Sequence, residues 1–258
     1  MSTTSAPVRT TAVTPRRVAP RWAALHRAAL HRVTAAVARL DRPGPHGRAS
    51  ETTTLRAAAG RFVTHPRPPV LLGVAASLAA VRLARGRFSR TDAVVAVSMA
   101  AAQPFVEWGV HRGILHARPG SRAGAVCYRI AGWGHEQHHR DPTNMDTMFI
   151  RPQEVLDAGA AALAVALVGP PPAATAALCT GLGLLAYDWT HFLIHTGYRP
   201  RGRMYRRIWR NHRLHHFRNE RYWLGVTSNI GDVLLGTNPP RDAVPVSPTA
   251  AYAHLPAQ

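Results

Sequence analysis

The chain has 258 residues and a formal net charge of +19 in which every basic side chain is arginine, with no lysine at all. Its length suits one large domain, and its two cysteines, Cys127 and Cys179, are too few for a disulfide framework or a thiolate metal site. Such charge suits nucleic acid or an anionic membrane surface, but no zinc finger, aromatic-glycine RNA motif or recognition-helix pattern accompanies it, so nucleic acid is set aside as a partner.

Residues 1–20 are rich in Ser, Thr, Pro and Arg without an acid, and are expected to be disordered. From Arg21 to Leu40 the pattern turns helical, with Trp22, Leu25, Leu30, Val33, Val37 and Leu40 along one stripe. Such a helix can lie on a membrane surface or pack on its own protein, and Asp41-Arg-Pro-Gly-Pro stops it. A short helix around Thr53 to Thr64 then leads to His65-Pro-Arg-Pro-Pro. The expected organisation is a basic tail over 1–52, a main domain over 53–240 and a C-terminal tail over 241–258.

Four apolar runs follow, at residues 69–84, 93–110, 155–169 and 173–190. A full membrane span takes about 20 predominantly apolar residues. Each run is slightly short and Ala-rich, but four of them in two hairpins predict an all-α integral membrane protein with four membrane-embedded helices. No signal peptide is read ahead of the first run. Two hairpins place the N-terminal region, residues 111–154 and residues 191–258 on one side, and 28 of the 32 arginines fall there. Positive charge concentrates in cytoplasmic loops, so the cap and both ends are expected in the cytoplasm. Arg82, Arg85, Arg87 and Arg90, at the first hairpin tip, violate that rule. The Ala-, Gly- and Arg-rich composition suggests a GC-rich coding genome, hence a bacterial inner membrane.

Ten of the fifteen histidines form four short clusters: His111 and His116, then His135, His138 and His139, then His191 and His195, then His212, His215 and His216. Steps of three or four residues return a side chain to one helical face, so each H-x-x-H-H triplet is expected to aim three rings at one point. Leu or Ala would pack these positions better, so the set reads as metal ligands. Ten exceed the three or four that one zinc ion takes. Two ions with about five imidazoles each would use them all, which points to a dinuclear redox centre. Imidazole suits iron, zinc and copper alike. The i, i+5 step from His111 to His116 departs from helical spacing, and Gly113 between them predicts local unwinding, a helix end, or rings reaching different ions. His26, His31, His46, His65 and His254 read as surface or core histidines.

The series H-x4-H, H-x2-H-H, H-x3-H, H-x2-H-H resembles the fatty acid hydroxylase / sterol desaturase superfamily of integral-membrane di-iron oxygenases. The hydrophobic stretch between the second and third clusters fits. So does the tail Gly225-Val-Thr-Ser-Asn-Ile-Gly-Asp232-Val-Leu-Leu-Gly236-Thr, which is similar to the acyl-hydroxylase branch. The resemblance runs from about residue 54 to 240. It implies that the ten clustered histidines hold two iron ions, which zinc can replace in purified protein, and that O2 is used to hydroxylate, or occasionally desaturate, a lipid. A His-Pro-Gly-Gly haem-binding signature is not present, so the electrons are expected from a separate ferredoxin- or cytochrome b5-type carrier. Asp188 and Glu107, each one turn before a clustered histidine, are candidates to orient imidazoles. Nine arginines between Arg199 and Arg221, Arg203 and Arg210 among them, are candidates for a lipid headgroup, a phosphate carrier or an acidic electron-transfer partner. Tyr222 and Trp223 are candidates for the interface level or the substrate entrance. A fatty acyl chain or acyl lipid is the expected substrate. The alternatives are a carotenoid or sterol-like terpenoid, since Asp188-x-x-His191 also resembles carotene hydroxylases, and a non-catalytic metal-binding membrane protein.

Overall fold

The computed structural model describes residues 21–252, so the expected disorder of residues 1–20 lies outside the described residues, as does the end of the C-terminal tail. The chain forms two compact units, Met1–Arg39 and Leu40–Gln258. The first consists, as described, of helix α1 (Arg21–Leu40), where the periodicity predicts one.

In the second unit, α2 (Leu55–Thr64) begins where the Thr54 hydroxyl accepts the Ala57 amide at 3.2 Å. Four longer helices make the bundle: α3 (Pro68–Ala84), α4 (Arg90–Val110), and, further along, α8 (Pro152–Val168) and α9 (Pro171–His195). Proline occupies the first turn of α3, α8 and α9, where its missing N–H costs no hydrogen bond. α9 is the central helix and packs against α3, α4 and α8, while α3 also packs against α8. Close approach is possible because Gly159 of α8 faces Val74 of α3; a Cβ there would lie 2.8 Å from Val74 Cγ1. Among the described residues there is no β-strand, only an isolated bridge between Arg48 and Asn144.

The four apolar runs all become helices, but four complete spans are not established. α3 and α8 have 17 residues each, about 25 Å at 1.5 Å per residue, against a hydrocarbon core of about 30 Å. Among the described residues one helix, Arg90–Leu115, is long and apolar enough to cross a membrane, and only 11% of its apolar window is buried. A second arises only if α2 and α3, bent by 84°, count as one.

Two of the four arginines that violate the charge rule, Arg82 and Arg85, have a structural use. Arg82 is 1% exposed. Its Nε donates to Thr175 Oγ1 at 2.6 Å, one terminal nitrogen donates to Asp92 Oδ1 at 2.8 Å and the other to the Gly86 carbonyl at 2.9 Å. Asp92 also closes a capping box on Ser89 at the start of α4. Arg85 reaches the carbonyls of Leu167, in the last turn of α8, and of Gly169, just beyond it. These two side chains therefore tie the far ends of all four helices together rather than marking a cytoplasmic loop.

Short helices build the opposite end: α5 (Arg122–Cys127), α6 (Trp133–Arg140) and α7 (Met145–Met148) between α4 and α8, then α10 (Arg203–Phe217), α11 (Ile230–Leu234) and α12 (Pro248–Tyr252) after α9. Segments assigned to tails from the sequence are tied into this end. Arg48 pairs with Asp141 at 2.7 Å and the Ala49 amide donates to the Thr143 carbonyl at 2.8 Å. Arg218 Nε likewise donates to the Val244 carbonyl at 2.7 Å. Phe62 of α2 packs edge-on against Phe149 and Trp189, in an apolar cluster with Met145, Met148, Phe192 and Leu193.

Candidate metal centre

All ten clustered histidines converge where α4, α6, α9 and α10 meet. They form two adjoining groups. His111, His116, His135, His139 and His215 bring ligand atoms within 4.8 Å of one another, and so do His138, His191, His195 and His216. The tenth, His212, adjoins the second group, its Nε2 lying 3.1 Å from that of His216. The groups abut through the stacked rings of His139 and His216, 4.1 Å apart.

This division corrects the expectation that a triplet aims its rings at one point. Neighbouring residues on a helix point about 100° apart, so His138 and His139 diverge, and His139 with His135, one turn back, faces the first group. His215 and His216 part in the same way. Each triplet therefore spans both groups.

The His111–His116 step is resolved by a π-helical stretch, His111–Leu115, in which the His116 amide donates to the His111 carbonyl at 3.1 Å. The wider turn brings the two rings into a stack 5.1 Å apart. Unwinding, one of the expected outcomes, is realised in this form, and both rings serve the same group.

In the first group the Nε2 atoms of His111 and His135, His116 and His215, and His135 and His139 lie 3.1 Å apart. His111 Nδ1 donates to the Leu224 carbonyl at 2.5 Å and His215 Nδ1 to the Tyr222 carbonyl at 2.9 Å. With the proton on Nδ1, the Nε2 atoms of His111 and His215 present lone pairs into the group. The spacing of the ring nitrogens is that of ligands around one shared cation: at metal–nitrogen distances of about 2.1 Å, ligands at right angles lie about 3 Å apart. In the second group His138 and His195 leave both ring nitrogens buried without a partner, and His191 leaves Nε2. At about 1–3 kcal/mol per unmet group, these five nitrogens would consume much of the ~5–15 kcal/mol that holds a typical domain together. The donor set thus fits two metal ions. Burial, with neighbouring histidines adding to it, drives His135, His138, His139 and His212 well below the ordinary imidazole pKa. It does the same to His215 and His216. They are neutral, as metal ligands must be.

The carboxylates of Asp188 and Glu107 bond to the main chain and to a threonine hydroxyl rather than to a clustered ring. Asp188 Oδ1 accepts the Ile150 amide at 3.2 Å. Glu107 accepts the amides of Val226 and Thr227 and the Thr227 hydroxyl. Three of the rings are oriented by main-chain carbonyls instead: His111 by that of Leu224, His215 by that of Tyr222 and His191 by that of Met148. Glu107 acts one step removed, by fixing the 224–227 segment that carries the Leu224 carbonyl. Asp232, quoted in the sequence only as part of the tail, grips it from the other side, accepting the amides of Leu224 at 2.8 Å and Gly225 at 2.7 Å. Gly225 leaves no room for a side chain: a Cβ would lie 2.9 Å from Asp232 Oδ2.

Arg203 and Arg210 are exposed on α10. Trp223 is not at a surface: it is 1% exposed, and its indole donates to the Pro239 carbonyl at 3.2 Å, because the 218–240 segment folds back over it. This corrects its expected place at the interface or entrance. Tyr222 is half-buried and contributes its carbonyl to His215. A cavity of about 490 Å³ opens beside the centre; His135, His138 and His191 form its floor, Leu115, Trp133, Met148 and Ile150 line its walls, and Asp41, Arg67, Arg151 and Glu154 are also on its lining.

A helical bundle with ten histidines gathered in two touching groups at one end is a fold that carries a donor set able to hold metal ions. The chain belongs to the fatty acid hydroxylase family, whose model matches residues 96–237, more than half its length. It is 27% identical to a dihydroceramide fatty acyl 2-hydroxylase of Arabidopsis thaliana over 52% of this chain and 56% of that protein. It is 26% identical to the fatty acid 2-hydroxylase of Mus musculus over 55% of this chain and 38% of that protein. The matched stretch thus spans little more than half of the plant relative and less of the mammalian one. Its fold is similar to the visible hydroxylase domain of full-length scs7p, with a TM-score of 0.52, 21% identity, and coverage of 82% of this chain and 80% of that one.

Proposed function

We propose that this protein is an O2-dependent di-iron membrane hydroxylase acting on a fatty acyl chain or acyl lipid. The observation that carries the reading is the pair of histidine groups with facing ring nitrogens at the floor of an apolar-walled cavity. When bound there, two iron ions supply the oxidising chemistry: with two electrons from a ferredoxin- or cytochrome b5-type carrier and two protons, O2 yields one hydroxyl group on carbon and one water.

The chain's own residues do the rest. Leu224 and Tyr222 carbonyls hold His111 and His215 in one tautomer. Leu115, Trp133, Met148 and Ile150 take the acyl chain and keep water from it, while Arg67, Arg151, Asp41 and Glu154 suit its polar end. The names of the plant and mammalian relatives support an acyl substrate oxidised at carbon 2, the position to assay first.

The bundle α3, α4, α8 and α9 embeds in the membrane with the histidine end in the cytoplasm. Support comes from the arginine balance and from exposed apolar side chains on its flanks, among them Val94, Val97, Val106, Val165, Leu167 and Leu182. Full spanning by the short α3 and α8 is not required, since a helix can enter partway.

Lipid mass spectrometry of cells with and without the protein tests the assignment, together with elemental analysis after iron reconstitution. Hydroxylated acyl chains only in expressing cells and two iron ions per chain are expected. An unchanged acyl profile, or one ion or none, overturns it; hydroxylated carotenoid or terpenoid instead would reassign the substrate.

A further inference from the structure

Away from the dinuclear centre, three residues far apart in sequence come together: His46, which follows the turn at Pro43–Pro45, His65 at the joint between α2 and α3, and Asp146 in α7. Their ligand atoms all lie within 4.8 Å of one another. His46 Nδ1 is 2.6 Å from Asp146 Oδ1, and the two imidazole rings are 4.4 Å apart. His65 is 3% exposed, and its Nε2 is buried with no partner. Its other nitrogen has only a long 3.3 Å contact with the Arg67 amide.

We propose that His46, His65 and Asp146 form a third metal site, separate from the ten-histidine centre, that takes one divalent cation of the zinc class. Two imidazoles and a carboxylate are a borderline donor set, which suits zinc and its transition-metal neighbours, whereas calcium and magnesium call for oxygen ligands throughout. The cation takes the place of the proton held between His46 and Asp146 and gives the orphaned His65 nitrogen its partner.

The surroundings keep the ligand neutral, and Asp146 supplies the negative charge. Burial, with His46 and the nearby arginines adding to it, lowers the His65 pKa to about 3, so the ring is neutral and available as a ligand. Of the two guanidiniums closest to it, Arg67 pairs with Asp41 at 3.1 Å, and Arg61 lies 3.7 Å from Glu51 and donates to main-chain carbonyls. Entry is open, because the side chains of His46 and Asp146 are 25% and 18% exposed.

The ligands also say what the ion does. It clamps the segment after α1 and the α2–α3 joint onto α7. Asp41, Pro43, Arg67 and Asp146 line the cavity above the dinuclear centre, so the clamp braces the wall of that cavity.

The full chain, purified in detergent, equilibrated with zinc and freed of excess, is compared with His46→Gln and Asp146→Asn by elemental analysis. Wild type is expected to hold one zinc more per chain than either variant. The same one-ion step is expected when His46→Gln is added to a His138→Ala/His215→Ala chain, so failure of the dinuclear reading lowers every total without removing the step. Equal zinc content with and without the substitution, in both backgrounds, overturns the third site. Wild-type crystals give a check that does not depend on variants folding: an anomalous peak at the zinc edge between the three side chains supports the site, and no peak there sinks it.

Discussion

The two ends of the helical bundle each bury a polar cluster, and they are opposites. At the far end, Arg82, Asp92, Ser89, Thr175 and the Gly86 carbonyl satisfy one another, with the Arg82 guanidinium also 3.9 Å from the Phe88 ring. At the near end, ten imidazoles crowd together, with the lone pairs of His111 and His215 aimed into the first group and ring nitrogens of His138, His191 and His195 unpartnered. A buried polar network complete within the chain holds a fold together; one that is incomplete needs something from outside. Polarity and burial do not separate the two, and the count of unmet partners does.

The sharpest way to break this contrast is at the near end. His138→Ala or His215→Ala removes one ligand from the second or the first group, and lipid hydroxylation with added electron donor and O2 should fall to background. On the proposed topology both proteins should remain in the membrane, since neither histidine lies in the four-helix bundle. Wild-type turnover by either would mean that the clusters are not the reacting centre.

Arg82→Ala at the far end strands the buried Asp92 and should cost about 3–5 kcal/mol of stability. It should show as a lower unfolding midpoint in detergent, with metal per folded chain unchanged. Loss of metal at full stability would erase the distinction between the ends. Glu107→Gln weakens the grip on Val226 and Thr227 and should reduce metal affinity about 10–100-fold, as loss of a supporting group around a ligand does. Titration with a competing chelator measures it. The smallest effect belongs to α10: Arg203→Ala or Arg210→Ala removes one exposed charge among nine and should change KM for lipid or electron donor a few-fold, leaving kcat alone.

The ligands were legible because their helical steps are rare and have no packing use. Their distribution was not, because which group each of the diverging rings joins depends on how α6 is rotated against α9 and α10. The π-helical stretch was half legible, as an irregular spacing around Gly113. Arg82 looked like a topological violation because a sequence carries no sign that Asp92 and Thr175 converge on it. Trp223 was misread for the mirror reason: aromatic residues beside arginines suit an interface, and only the return of the chain at Pro239 encloses this one. Residues 41–52 were assigned to the tail because their contacts to α6 and α7, at Asp141, Thr143 and Asp146, are far away in sequence.

His111 and His215 take their orientation from the carbonyls of Leu224 and Tyr222. Every amino acid carries a carbonyl, so the residues at 222 and 224 can be exchanged without deleting the group that aims the ligands. The vulnerability moves to whatever sets the path of the backbone, namely Glu107 and Asp232 on either side of it and the bare Cα of Gly225 between. For an engineer, the half-buried Tyr222 is the position to vary around the centre, while Trp223, Leu224 and Val226 are buried and the loop's course is fixed.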